Sequence, residues 1–123
     1  MMYIDFEAGN KAYKLRLTTR AVMALESKIG CNPMMIFGSG NRVPTVTEMI
    51  HVLHNSLTQY NHGITFNDAV KIFDEWLDDG HTPTDFIAVI VDIYKASGII
   101  PNTNEAEDED EDAEEGEEDE EKN

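Results

Sequence analysis

The chain has one cysteine, one tryptophan, four prolines and only nine basic residues in 123 positions. Each scarcity excludes something. Cys31 alone cannot close an intramolecular disulfide or supply a cysteine-rich zinc site, so a reducing compartment is the simpler expectation. Nine Lys and Arg against 25 Asp and Glu give a formal charge of −16, and without clustered cations there is no footprint for binding a phosphate backbone; no nucleic-acid partner is expected. No apolar run approaches the roughly 20 residues that cross a bilayer. Met1-Met2-Tyr3-Ile4-Asp5 also lacks the basic start and apolar stretch of a signal peptide, so neither membrane insertion nor export by that route is expected.

What is present is unevenly spread. Glu105 to Asn123 hold 14 of the 25 acids and one of the nine basic residues, a charge of −13, while Met1 to Asn104 carry −3. Almost every apolar residue lies in the first part, which has material for one small core. The second has almost nothing to bury against an ordering cost of roughly 1 to 2 kcal/mol per residue. The expectation is a domain over residues 1–104 followed by a disordered acidic tail over 105–123.

Within the domain the polarity period changes once. Tyr3-Ile4-Asp5-Phe6-Glu7 and Tyr13-Lys14-Leu15-Arg16-Leu17 alternate around the turn residues Ala8-Gly9-Asn10-Lys11, which reads as a β-hairpin. Ile4, Phe6, Tyr13, Leu15 and Leu17 would face the core, with Asp5 and Glu7 set against Lys14 and Arg16 outside. From Thr18-Thr19 onward the spacing is helical: Ala21, Val22, Leu25 and Ile29 up to Gly30, then Asn32-Pro33 opening the apolar turn Met34-Met35-Ile36-Phe37. Thr45 with Glu48 and Thr65 with Asp68 fit capping boxes, and Thr82-Pro83-Thr84-Asp85 starts a last helix that runs to Ser97. The stripes are Val46, Met49, Ile50, Leu53, Leu57 and Tyr60, then Phe66, Ala69, Val70, Phe73, Trp76 and Leu77. The fold class is mainly α: four to five helices behind an N-terminal β-hairpin, with Trp76, Phe73, Phe86, Ile90, Leu53 and Leu57 in the core. The last helix is apolar on most of its circumference, so it is either central or partly covered by a partner.

Little here suggests chemistry. His51 and His54 share a helix face, but two ligands do not make a metal site, and they read as surface histidines beside an apolar stripe. Asp78-Asp79-Gly80-His81 puts acids at the unfavourable end of a helix, where solvated side chains are expected. Asp108, Asp110 and Asp112 imitate the start of a calcium loop, yet Ala113 stands where that loop needs glycine. No nucleophile motif or phosphate loop occurs, and no enzyme, cofactor or metal is expected. The acidic tail reads either as a docking arm for a basic surface or as a solubilising extension. The candidate partner-binding residues are Met34, Met35, Ile36 and Phe37, a turn that either re-packs against partners or folds back as core, together with Ile87 and Val91 on the last helix. Self-association through a hairpin edge or that helix is also open.

The hairpin leading into Leu15-Arg16-Leu17-Thr18-Thr19-Arg20-Ala21, then Leu25-Glu26, Ile29-Gly30 and Asn32-Pro33 with its apolar turn, resembles the tail assembly chaperones of long-tailed, siphovirus-type bacteriophages. The resemblance covers about Tyr13 to Phe37 and the later helices in outline. It implies a small helical protein that keeps the tape-measure protein soluble and helps tail-tube subunits assemble around it. Such a protein works in the bacterial host cytoplasm and is absent from the mature virion. A second expectation, from charge alone, is an acidic inhibitor or mimic that occupies a basic host or nucleic-acid-binding protein.

Overall fold

A computed structural model of the chain describes residues 2–37 and 42–101. The Gly38-Ser39-Gly40-Asn41 loop and the acidic segment, with the tail and cation readings attached to it, lie outside the described residues. The architecture is an antiparallel hairpin followed by four α-helices.

Strands β1 (Ile4–Ala8) and β2 (Lys11–Leu15) pair around Gly9-Asn10, with Ala8 opposite Lys11 and Phe6 opposite Tyr13. Gly9 and Asn10 have φ of 58° and 67°, the left-handed values that a two-residue turn of this twist requires. That turn fixes the register, and it corrects the expected charge pairing. Asp5 does face Lys14, but Glu7 falls opposite Ala12. Arg16 lies past the strand, its Nη1 donating to the Met2 carbonyl at 2.7 Å. Leu17 is also beyond β2, although buried. Its N–H donates to Ser97 Oγ at 2.9 Å, and the Arg16 N–H donates to the Ser56 carbonyl at 2.9 Å. The chain leaving the hairpin is thus tied to two helices distant in sequence.

Helix α1 (Thr19–Ile29) starts at Thr18, whose Oγ1 accepts from the Ala21 N–H at 3.2 Å, and stops at the left-handed Gly30. A 3-10 turn over Pro33–Phe37 follows, then α2 (Val46–Leu57), α3 (Phe66–Asp78) and α4 (Pro83–Ala96). Both expected capping boxes form: Thr45 with Glu48, and Thr65 with Asp68. At α4 the Asp85 carboxylate accepts from the Thr82 N–H at 2.9 Å.

The core lies between the inner face of the hairpin and the helices. Trp76, Phe73, Phe86, Ile90, Leu53 and Leu57 are all buried. Phe6 brings the hairpin into this core, with ring centroids 5.7 Å from Trp76 and 6.0 Å from Phe86. The centre belongs to α2, which packs on α1, α3, α4 and β2. It buries Met49, Ile50, Val52, Leu53 and Leu57, and also Asn55 and Ser56. Those two polar residues do not disqualify it, because Asn55 Nδ2 donates to the His51 carbonyl at 2.8 Å and Ser56 Oγ to the Leu53 carbonyl at 2.9 Å, within the helix itself. By contrast, the more apolar α4 leaves Ile87, Val89 and Val91 half-buried. Val46 and Tyr60, placed in the α2 stripe by spacing, are 46% and 41% exposed. Val46 is the first helical residue, and Tyr60 lies beyond the helix end at Leu57, where the helical period no longer applies.

Candidate functional site

The Pro33–Phe37 turn is assembled from both sides. Asn32 opens it, its Oδ1 accepting from the Met34 N–H at 2.9 Å. With three residues per turn, positions three apart eclipse, so Pro33 and Ile36 point the same way and both are buried. Met34 and Met35 are left outside, 41% and 57% exposed. Beneath the turn lies Tyr94 of α4, whose hydroxyl donates to the Pro33 carbonyl at 3.0 Å and whose ring meets Phe37 edge-on at 6.0 Å. Burial pushes the Tyr94 phenol well above its ordinary range, so it stays a neutral donor there.

Arg42 closes the other side. Its Nη1 donates to the Ile36 carbonyl, and its Nη2 reaches Glu48 Oε2 at 2.8 Å, the ion pair found among the described residues. Burial acts to raise the Glu48 carboxyl, but the Arg42 guanidinium and the Thr45 cap outweigh it and hold the group below its ordinary value. One guanidinium therefore joins the end of the apolar turn to the start of α2, where Val43 and Val46 are exposed.

Of the six residues singled out by sequence, Met34 and Met35 are accessible. Ile36 has no exposed surface and serves as the anchor of the turn, which corrects its assignment as a contact residue in this conformation. Phe37 is half-buried against Tyr94. Ile87 and Val91 are half-buried on α4, and with Tyr94 they are spaced i, i+4, i+7, so one helical stripe leads to the residue that carries the turn. Sequence reasoning missed Met23, Val43 and Val46, which are 64%, 62% and 46% exposed. For Met23 the signal was available, since it falls off the Ala21, Val22, Leu25, Ile29 stripe.

The histidines are used differently than expected. His54 Nε2 donates to the Ile64 carbonyl at 3.1 Å, which places a proton on that nitrogen. The His51 ring lies on Phe66, with centroids 4.5 Å apart, and its buried Nδ1 has no hydrogen-bond partner among the described residues. Both are half-buried wedges between helices, not surface groups. Asp79 is likewise structural, its Oδ2 accepting from the Gly9 N–H at 3.0 Å, and exposed His81 stacks on Trp76 at 4.3 Å. Among the described residues no three His, Cys, Asp or Glu side chains gather closely enough to hold a metal. No helix there is long and apolar enough to cross a membrane.

A second feature is a groove of about 440 Å³ between β2, the α2–α3 connection and α3, lined by residues that include Lys11, Tyr13, Ile64, Lys71, Ile72 and Glu75. Burial and the nearby Glu75 carboxylate both raise the Tyr13 phenol. No curated protein and no solved structure matches the chain. A family model does match residues 4–119, a span that takes in the hairpin, all four helices and most of the acidic segment, and by that match the chain belongs to DUF6096, a family of unknown function.

Proposed function

We propose that this protein is a non-enzymatic assembly chaperone that uses exposed apolar side chains to hold a client soluble. Its clients are a tape-measure protein and the tail-tube subunits that gather round it, in the cytoplasm of a bacterial host. The observation that carries the reading is the construction of the Pro33–Phe37 turn: Ile36 and Tyr94 fix it from below, so that Met34 and Met35 are held in solvent. Methionine is unbranched and polarisable and re-packs against irregular apolar surfaces, which suits a contact that must form and later release. The Thr18 to Pro33 resemblance supports the choice of client. An acidic chain repels copies of itself, which suits a protein that carries exposed apolar groups.

The test is co-expression with a tape-measure protein. The soluble fraction of the client should rise with the native chain, and most of that gain should disappear when Met34 and Met35 are both replaced by serine. A client that remains as insoluble with the native chain as without it overturns the reading.

A further inference from the structure

Methionine is among the residue types most often fully buried. Among the described residues Met49 follows that rule, whereas Met2, Met23, Met34 and Met35 are exposed. Met34 and Met35 stand apart in being adjacent and in the way their backbone is held. The Met34 N–H donates to Asn32 Oδ1 at 2.9 Å and the Met35 N–H to the Asn32 carbonyl at 2.7 Å, so both amides are already engaged. Pro33 and Ile36 are buried beneath them. The Tyr94 hydroxyl donates to the Pro33 carbonyl and the Arg42 guanidinium to the Ile36 carbonyl. None of these anchors contains sulfur. The two thioethers are thus open to chemistry that leaves the turn presenting them intact.

We infer that Met34 and Met35 form a reversible sulfoxidation site at which hydrogen peroxide switches client contact off, an inference that rests on the chaperone reading. The methionine sulfur attacks one peroxide oxygen and the O–O bond breaks. Sulfur loses two electrons and becomes the sulfoxide, while the proton on the transferred oxygen passes to the departing one, which leaves as water. The product replaces an apolar thioether by a strongly dipolar acceptor. Because Asn32 already occupies the amides of both methionines, the new oxygen takes its hydrogen bonds from water. Pressing it against an apolar client strips those bonds away, which opposes contact. Reversal needs a dithiol reductant: two thiols become a disulfide and the sulfoxide oxygen leaves as water. Met49 lies buried on α2, shielded from the oxidant, so the fold outlasts the change at the surface.

The test treats the full chain with hydrogen peroxide, quenches it, and maps the added oxygens by peptide mass spectrometry. Denatured tape-measure protein is then diluted into the treated and untreated chains, and its soluble fraction is read after centrifugation. Met34 and Met35 should each gain one oxygen while Met49 gains none and the thermal melt is unchanged. The soluble fraction of the client should fall to that of the client alone. Sulfoxide reductases acting on the two epimers should restore it. A chain carrying both Met34→Leu and Met35→Leu keeps apolar bulk without sulfur and retains Met2, Met23 and the free Cys31 as oxidisable groups. It should hold the client equally well before and after peroxide. An oxidised native chain that still holds the client overturns the inference and leaves the chaperone reading standing. A double variant that loses its client after peroxide places the sensitive group elsewhere and overturns it, as does oxidation of Met49 or a lowered melt at the same dose. An untreated native chain that fails to hold the client overturns both together.

Discussion

Leu53 shows how much a single position of α2 carries. It has no exposed surface and lies on the helix that packs against α1, α3, α4 and β2, so its neighbours come from several directions and cannot all close a gap. Leu53→Ala should destabilise the fold by about 2 to 5 kcal/mol in urea denaturation, the range for emptying a leucine site that relaxes only in part. A loss below about half a kcal/mol, typical of a surface position, would mean that the α2 face is wrongly assigned. His51 makes the complementary case for a titratable residue. Burial lowers its pKa from the ordinary 6.5, assisted by Lys28 of α1 and His54 of α2, while Phe66 of α3 covers the ring. The folded chain therefore resists a proton that the unfolded chain accepts. The contribution to stability is present above pH 6.5 and is lost as the pH falls through the lower folded value. The thermal midpoint should fall between pH 7.5 and pH 5, and His51→Phe should flatten that part of the profile. An unaltered slope in the variant would show that other groups carry the effect. Neither assignment is equally legible in the sequence. Leu53 follows from helical spacing, whereas the burial of His51 depends on Phe66, fifteen positions away on another helix.

At the scale of elements, local chemistry explains most of what forms. Thr18, Thr45, Thr65 and Thr82 start helices because each precedes an apolar period, and three are reinforced by an acid at the third helical position. Gly9-Asn10 closes the hairpin because only such residues tolerate the left-handed backbone there. Gly9→Ala tests this. Its φ of 58° is strained for any residue with a Cβ, and that carbon would lie 2.7 Å from Glu75 Oε1 and 3.3 Å from Glu75 Cβ. The variant should lose about 1 to 2 kcal/mol for the backbone alone, read by thermal melting. A variant as stable as the native chain would show that the turn adopts another geometry. What spacing does not reveal is which helix occupies the centre. Average apolarity favours α4, but α2 takes the place because Asn55 and Ser56 satisfy themselves within the helix and can be buried. Nor is the orientation of the Pro33–Phe37 turn visible in four consecutive apolar letters. It depends on the threefold period and on Tyr94, 61 residues after Pro33. The candidate surface was thus readable as to place, and not as to which of its side chains face outward.

For the whole molecule, the division of charge sets the decisive expectation. Removing Glu105 to Asn123 changes the formal charge from −16 to −3, and the buried residues among those described all lie between Phe6 and Tyr94. The truncated chain should keep its helical circular dichroism and its urea midpoint. It should still carry Met23, Met34, Met35, Val43 and Val46 on its surface. What it loses is long-range repulsion between copies, which acts over about 10 Å at 0.1 M salt. Light scattering should therefore show the truncated chain associating at concentrations where the full chain stays dispersed, and added salt should bring the full chain toward the same behaviour. Contact with a client should survive the deletion if apolar side chains carry it. It should vanish if the acids themselves are the binding element, because a −3 body offers a basic partner little attraction. A truncated chain that stays dispersed yet no longer engages its client would move the function from the methionine surface to the acidic segment.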